Sequence, residues 1–61
     1  MCSLYAVAWY NKALFLLSLK KYSEAREHFK KAIENFEIVL EIKPDDVTNW
    51  QYKGNALKYL D

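Results

Sequence analysis

Two stretches of this chain are versions of one another. "WYNKALFLLSL" (Trp9 to Leu19) and "WQYKGNALKYL" (Trp50 to Leu60) align at a single offset of 41 residues. Trp9 falls on Trp50, Lys12 on Lys53, Ala13 on Gly54, Leu16 on Leu57 and Leu19 on Leu60. Self-similarity at such a period marks a repeat architecture, in which one helical unit cannot bury its apolar face alone and stacks on the next. A chain of 61 residues holds one such unit and the opening of a second. At that size burial is incomplete and stability is marginal without disulfides, metal or partners.

The stretches between the copies carry little punctuation. There is one glycine and one proline. Pro44 ends whatever helix precedes it, and either Asp45 or Asp46 can N-cap the next. A weaker break falls at "KKYS" (Lys20 to Ser23), where Ser23 can serve the first turn of a second helix. No strand alternation is present. The reading is all-α within a single domain, residues 1–61, with helices over about 3–19, 23–42 and 46–60. The first two form an antiparallel helix–turn–helix, and the third packs against the second, with Trp50 buried near Ile42.

The second helix is the most regular. At 100° per residue Tyr22, Ala25, Phe29, Ala32, Ile33, Phe36, Val39 and Leu40 fall on one stripe about 120° wide, with Glu27, Lys31, Glu34 and Glu41 opposite. Glu27 and Lys31 make a favourable i,i+4 pair. Ile38 and Ile42 break the pattern on the polar side. The first helix is apolar nearly all round its wheel, interrupted at Asn11, Ser18 and Lys12, and so expects cover on several sides. The third carries Val47, Trp50, Gly54, Leu57 and Leu60 on one side. Tyr52 and Tyr59 lie on the other, with Asn55 nearby.

The residues of the internal match resemble the tetratricopeptide repeat. That family's unit is a helix–turn–helix of 34 residues with W-x₂-L-G-x₂-Y, then A-x₃-F, then P. Trp9, Ala13 and Leu16 fit its first helix; Tyr22, Ala25, Phe29 and Ala32 fit its second; Trp50, Gly54 and Leu57 reopen it. Small residues at Ala13, Ala25, Ala32 and Gly54 let helix axes come close, while Trp9, Phe29 and Trp50 fill the gaps. Lys12 and Lys53 stand where the pattern has leucine, and the turn has no glycine. The offset of 41 also exceeds the family period by seven residues, close to two helical turns with a drift of only about 20°. The surplus lies between Phe29 and Pro44. It lengthens the second helix without rotating its stripe, and Leu4, Val7 and Ala8 are expected beside Phe36 and Leu40.

The chemistry available is sparse. Cys2 is the only cysteine, which excludes an internal disulfide and a cysteine-based zinc site. His28, the only histidine, lies one turn from Glu24, but a metal site needs three or four ligands. There is no phosphate loop, HExxH or GxSxG. An enzyme and a cofactor are not expected. The net charge of +1 gives no basic face for nucleic acid. "ALFLLSL" (Ala13 to Leu19) is too short to span a bilayer, and the first helix lacks the cationic face of a membrane-surface helix. The chain reads as cytoplasmic.

What the resemblance implies is a protein–protein interaction scaffold, with the first helices of successive repeats lining a groove for a protein or peptide. By that resemblance the groove residues are Tyr10, Asn11, Leu14, Leu17 and Ser18, then Gln51, Tyr52, Asn55 and Tyr59, with Asn55 matching an asparagine that bonds a bound backbone. Some family members clamp a C-terminal carboxylate with lysine and asparagine. Tyr10 and Leu14 stand at those places here, so the clamp is absent and the groove is apolar and aromatic. The alternative is a structural unit, a homodimer or an excerpt of a longer array, whose apolar faces are covered by copies of itself, with exchange of the first or third helix as one route. In an antiparallel pair the basic first half of the second helix (Arg26, Lys30, Lys31) would meet its acidic second half (Glu34, Glu37, Glu41).

Overall fold

The computed structural model describes residues 3–60. Three helices follow one another: α1 (Ser3–Ser18), α2 (Tyr22–Ile42) and α3 (Val47–Leu60). Cys2, the lone cysteine, lies outside the described residues. α1 and α2 form the antiparallel hairpin, α3 packs on α2, and α1 and α3 touch only lightly across it. The molecule is a short slab, 34 × 20 × 14 Å.

α1 ends in a two-bond terminus of the Schellman type. The Lys21 amide donates to the Leu16 carbonyl at 3.0 Å and the Lys20 amide to the Leu17 carbonyl at 2.9 Å. Lys20 itself is left-handed, with φ 63°, in the place where glycine is the usual residue. α2 begins a residue earlier than Ser23 suggests. Lys21 is its N-cap and supplies no side-chain bond, so the serine is not a cap. The turn after α2 resolves the choice between the two aspartates in favour of Asp46. Its carboxylate accepts from the Asn49 amide at 3.2 Å and from the Asn49 side chain at 2.7 Å. That pairing lets Asn49, a polar residue, stay buried.

The core is the stripe of α2. Ala25, Phe29, Ala32, Ile33, Phe36, Val39 and Leu40 are all buried. Tyr22, placed on the same stripe by periodicity, is exposed because it sits at the helix start, beyond the cover of α1. Against this stripe α1 sets Ala6, Tyr10, Ala13 and Leu16. The close approach rests on Ala13, Ala25 and Ala32, which retain 1% exposure at most. The upper end of the stripe is covered differently from expectation. Leu4 and Ala8 are exposed and Val7 is half-buried. Ala6 and Tyr10 turn inward instead, and the Tyr10 ring meets Phe36 edge-on at 6.4 Å.

α3 reverses the face assigned to it. Its packed side is Asn49, Tyr52, Ala56 and Leu60, and the other side points out. Trp50 is 48% exposed and Ile42 65%. The indole folds back over the turn, where its Nε1 donates to the Pro44 carbonyl at 2.7 Å. The tyrosine side wins because Phe36 and Phe29 on α2 offer flat ring faces to Tyr52 and Tyr59. Those stacks have centroid distances of 5.4 and 5.0 Å and planes within 10° of parallel. Offset stacking of this kind adds about 0.5–1.5 kcal/mol to the burial itself. The match at an offset of 41 is therefore one of sequence and does not extend to packing. In α1 the side carrying Trp9, Ala13 and Leu16 packs on α2. Its counterpart in α3, Trp50, Gly54 and Leu57, is the side with nothing upon it.

Charged positions settle where solvent is. Glu27 pairs with Lys30 at 3.8 Å rather than with Lys31, because the Lys31 ammonium lies over the Trp9 ring, 6.0 Å from its centroid. Both Glu27 and Lys30 are exposed, so their pair contributes little. Lys53 reaches Glu37 at 3.2 Å and ties α3 to α2.

Candidate functional site

α1 and α3 both lie against α2, with aromatic rings of α2 between them. Tyr10 is the centre of this arrangement. Its ring touches Phe29 (5.9 Å) and Phe36 on α2 and Tyr52 on α3 (5.2 Å), each edge to face. Burial pushes the Tyr10 phenol above the ordinary value of 10.0; the neighbouring Tyr59 and Tyr52 add to the rise and the Asn55 side chain opposes it. Tyr10 is therefore a buried strut between the first and third helices rather than an open contact. Asn55 is exposed.

The other predicted groove residues divide by depth. Leu14 and Leu17 are half-buried against the core. Tyr52 is half-buried in its stack on Phe36, and Tyr59 lies outermost over Phe29. Asn11, Ser18 and Gln51 are exposed. Ser18 has turned its hydroxyl inward, donating to the Phe15 carbonyl at 2.6 Å. Two recesses border these residues. One, of about 170 Å³, is lined by Leu17, Tyr22, Ala25, Arg26, Phe29 and Tyr59. The other, of about 180 Å³, is lined by Thr48, Gln51, Tyr52 and Asn55. Sequence reasoning missed Arg26 and Tyr22 in the first. The Arg26 guanidinium donates to the Leu60 carbonyl at 2.7 Å and so closes the far end of α3 onto α2. No local motif signals that bond, which spans 34 positions.

His28 does not meet the Glu24 carboxylate. Its Nδ1 lies 2.8 Å from the Glu24 backbone carbonyl, and its ring packs at 5.3 Å on Trp9. Among the described residues no three or more His, Cys, Asp or Glu side chains gather as metal ligands. The Trp9 Nε1 is sealed from solvent with no acceptor.

An antiparallel helix pair closed by small residues, with a third helix that restates the first, defines a helix–turn–helix repeat of the α-solenoid class. Residues 6–37, more than half of the chain, match the family model of the tetratricopeptide repeat. The chain belongs to the tetratricopeptide repeat family, whose members generally act as protein-interaction scaffolds. Comparison with curated proteins and with solved structures returns no match.

Proposed function

We propose that the protein binds an extended apolar peptide along the side between α1 and α3. The observation that carries this reading is the pair of recesses bordering that side, one floored by Phe29 and Ala25, the other by Tyr52. Side chains of the ligand would enter them, and Gln51 and Asn55 would meet its backbone. The positions that could clamp a carboxylate are Tyr10 and Leu14, neither cationic, and a desolvated carboxylate without a cation is costly. The test is a titration followed by NMR, with two peptides that share alternating Leu and Phe. One ends in an amide and the other in a cluster of aspartates. The amide should shift Leu17, Gln51, Asn55 and Tyr59 and the acidic peptide should not. Tighter binding of the acidic peptide would refute the groove.

A second reading, self-association as a two-fold dimer, is favoured by one observation. Phe15, Leu19 and Leu4 leave an apolar strip on the outer side of α1, with Phe15 58% exposed. Such strips are commonly covered by a second copy. Sedimentation equilibrium up to millimolar concentration decides it, since a constant monomer mass removes the dimer. Among the described residues no helix is long and apolar enough to cross a membrane. Residence in the cytoplasm, without nucleic-acid or membrane partners, belongs to the same proposal and rests on composition.

A further inference from the structure

The stretch "KKYS" (Lys20 to Ser23) sets two lysines three and two positions before a serine. All four residues are exposed. The lysines stand between the helices, Lys20 left-handed with φ 63° and Lys21 as the N-cap of α2. Ser23 lies in the first turn of α2. The first bond of helical spacing runs from the Ala25 amide to the Lys21 carbonyl at 2.9 Å, so the amides of Tyr22, Ser23 and Glu24 have no helical acceptor. A first turn held so lightly opens at little cost. Ser18 and Thr48 differ on both counts. Phe15 and Leu16 precede Ser18 at the places of the lysines, and its hydroxyl is engaged by the Phe15 carbonyl. Asp45 and Asp46 precede Thr48.

One turn after Ser23 stands Arg26, its neighbour on the helix surface. The Arg26 guanidinium crosses to α3 and donates to the Leu60 carbonyl at 2.7 Å. That acceptor is neutral. A phosphate on Ser23 would carry a charge of about −1.5 to −2 and three acceptor oxygens. Hydrogen bonds from a guanidinium to a phosphate are roughly twice as strong as those between neutral groups, and often two-pronged. An arginine folded back along α2 and one reaching across to α3 need different rotamers, so the first contact replaces the second. Glu24 adjoins Ser23 and opposes the phosphate, while Glu27 is paired with Lys30. Lys20, Lys21 and Arg26 outnumber them, and a helix start favours an anion.

We propose that Ser23 is a phosphorylation site for a serine kinase that reads the two lysines before it, and that the phosphate draws Arg26 from Leu60 and frees the end of α3. The bond from Ser23 Oγ to the γ-phosphorus of a nucleoside triphosphate forms as the bond from that phosphorus to the bridging oxygen breaks. The hydroxyl proton passes to a base of the kinase, and the nucleoside diphosphate leaves. Neither the peptide groove nor the dimer is needed for this.

The test treats the 61-residue protein with ATP, Mg²⁺ and the catalytic subunit of the cyclic-AMP-dependent kinase, which takes serines preceded by basic pairs. Mass spectrometry should find one phosphate, on Ser23. Lys20→Gln with Lys21→Gln should slow its addition by about tenfold or more, and Ser23→Ala should remain folded and take none. Amide hydrogen exchange then reads the consequence. Lys58, Tyr59 and Leu60 should exchange several-fold faster in the phosphorylated protein, while Ala32 in the core is unchanged. In Arg26→Gln those three amides should exchange fast from the start, with no further rise on phosphorylation. No phosphate on Ser23, or a rate indifferent to the lysines, would overturn the site. Unchanged exchange at the end of α3, or the same rise in Arg26→Gln, would overturn the transfer of Arg26.

Discussion

The ring of Phe36 lies flat against the ring of Tyr52, centroids 5.4 Å apart and planes 7° from parallel. One heptad away, Phe29 lies on Tyr59 in the same manner at 5.0 Å. Both partners are spaced by seven on both helices, so the antiparallel α2–α3 pair has its register set by two aromatic rungs. Phe36 belongs to the surplus that lengthens α2. The extension is thus answered on two sides, by Ala6 and Tyr10 of α1 and by Tyr52 of α3. A double-mutant cycle with Phe36→Leu and Tyr52→Leu should show a coupling of about 0.5–1.5 kcal/mol. Urea melts of the four proteins measure it, and strict additivity would deny the rung. Phe36→Ala alone costs about 3–5 kcal/mol, as much as a domain of this size has, and should leave the chain unfolded at 25 °C by circular dichroism.

Lys20 is the cheapest place to gain stability. It holds a left-handed conformation with a Cβ, which costs about 1–2 kcal/mol relative to glycine before glycine's greater freedom in the unfolded chain is subtracted. Lys20→Gly should therefore stabilise by about 0.5–1 kcal/mol. For a chain of this length that is about 2–8 °C in Tm. A thermal melt with Tm unchanged or lowered would show that the terminus is not held as described.

Gly54→Ala should stabilise the protein. The added methyl meets nothing and the position is exposed in mid-helix, so the free protein should gain about 0.5–1 kcal/mol. Chemical denaturation reads this directly. A loss of stability would mean that the outer side of α3 is already covered in solution.

The fold was legible where a single apolar face exists. α2 has one stripe, and every residue from Ala25 to Leu40 assigned to it is buried. The helix bounds fall within one residue of those expected, because Pro44 and the Lys20–Ser23 break are local signals. α3 was not legible in the same way. It has two apolar sides of similar strength, Trp50 with Leu57 and Tyr52 with Tyr59. The choice between them lies in Phe29 and Phe36, on another helix. Tyr10, read as a groove contact, is a strut for the same reason. Its role depends on three rings contributed by α2 and α3.

Tyr10 also makes the fold sensitive to alkali. Its folded-state pKa is raised, chiefly by burial, so folding favours the neutral phenol. The stability this gives is complete below the unfolded value of about 10 and is lost as pH rises from there through the folded value. The urea midpoint of the native protein should fall as pH rises above about 10. Tyr10→Phe should flatten this alkaline fall. Parallel pH profiles for the two proteins would remove Tyr10 from the account.

Deleting the seven residues Ile33 to Val39 tests the register as a whole. Two turns of helix, about 10.5 Å, leave α2 with a drift of only about 20°. Leu40 then takes the place of Ile33 and the stripe closes without rotation. The turn at Pro44 draws α3 two turns toward the start of α2. Phe29 now stands as far before Pro44 as Phe36 did, so Tyr52 should stack on Phe29. Tyr59 should move on to Tyr22, seven residues before Phe29 and exposed in the native protein. The variant should remain helical by circular dichroism at low temperature, and be less stable, since Phe36 and Val39 are gone and Ala6 loses its cover. Aromatic NOEs between Phe29 and Tyr52 would show the shifted rung. A helical protein that keeps the Phe29–Tyr59 contact would mean that α3 is placed by something other than the heptad, and a random-coil spectrum would mean that the surplus is indispensable to the fold.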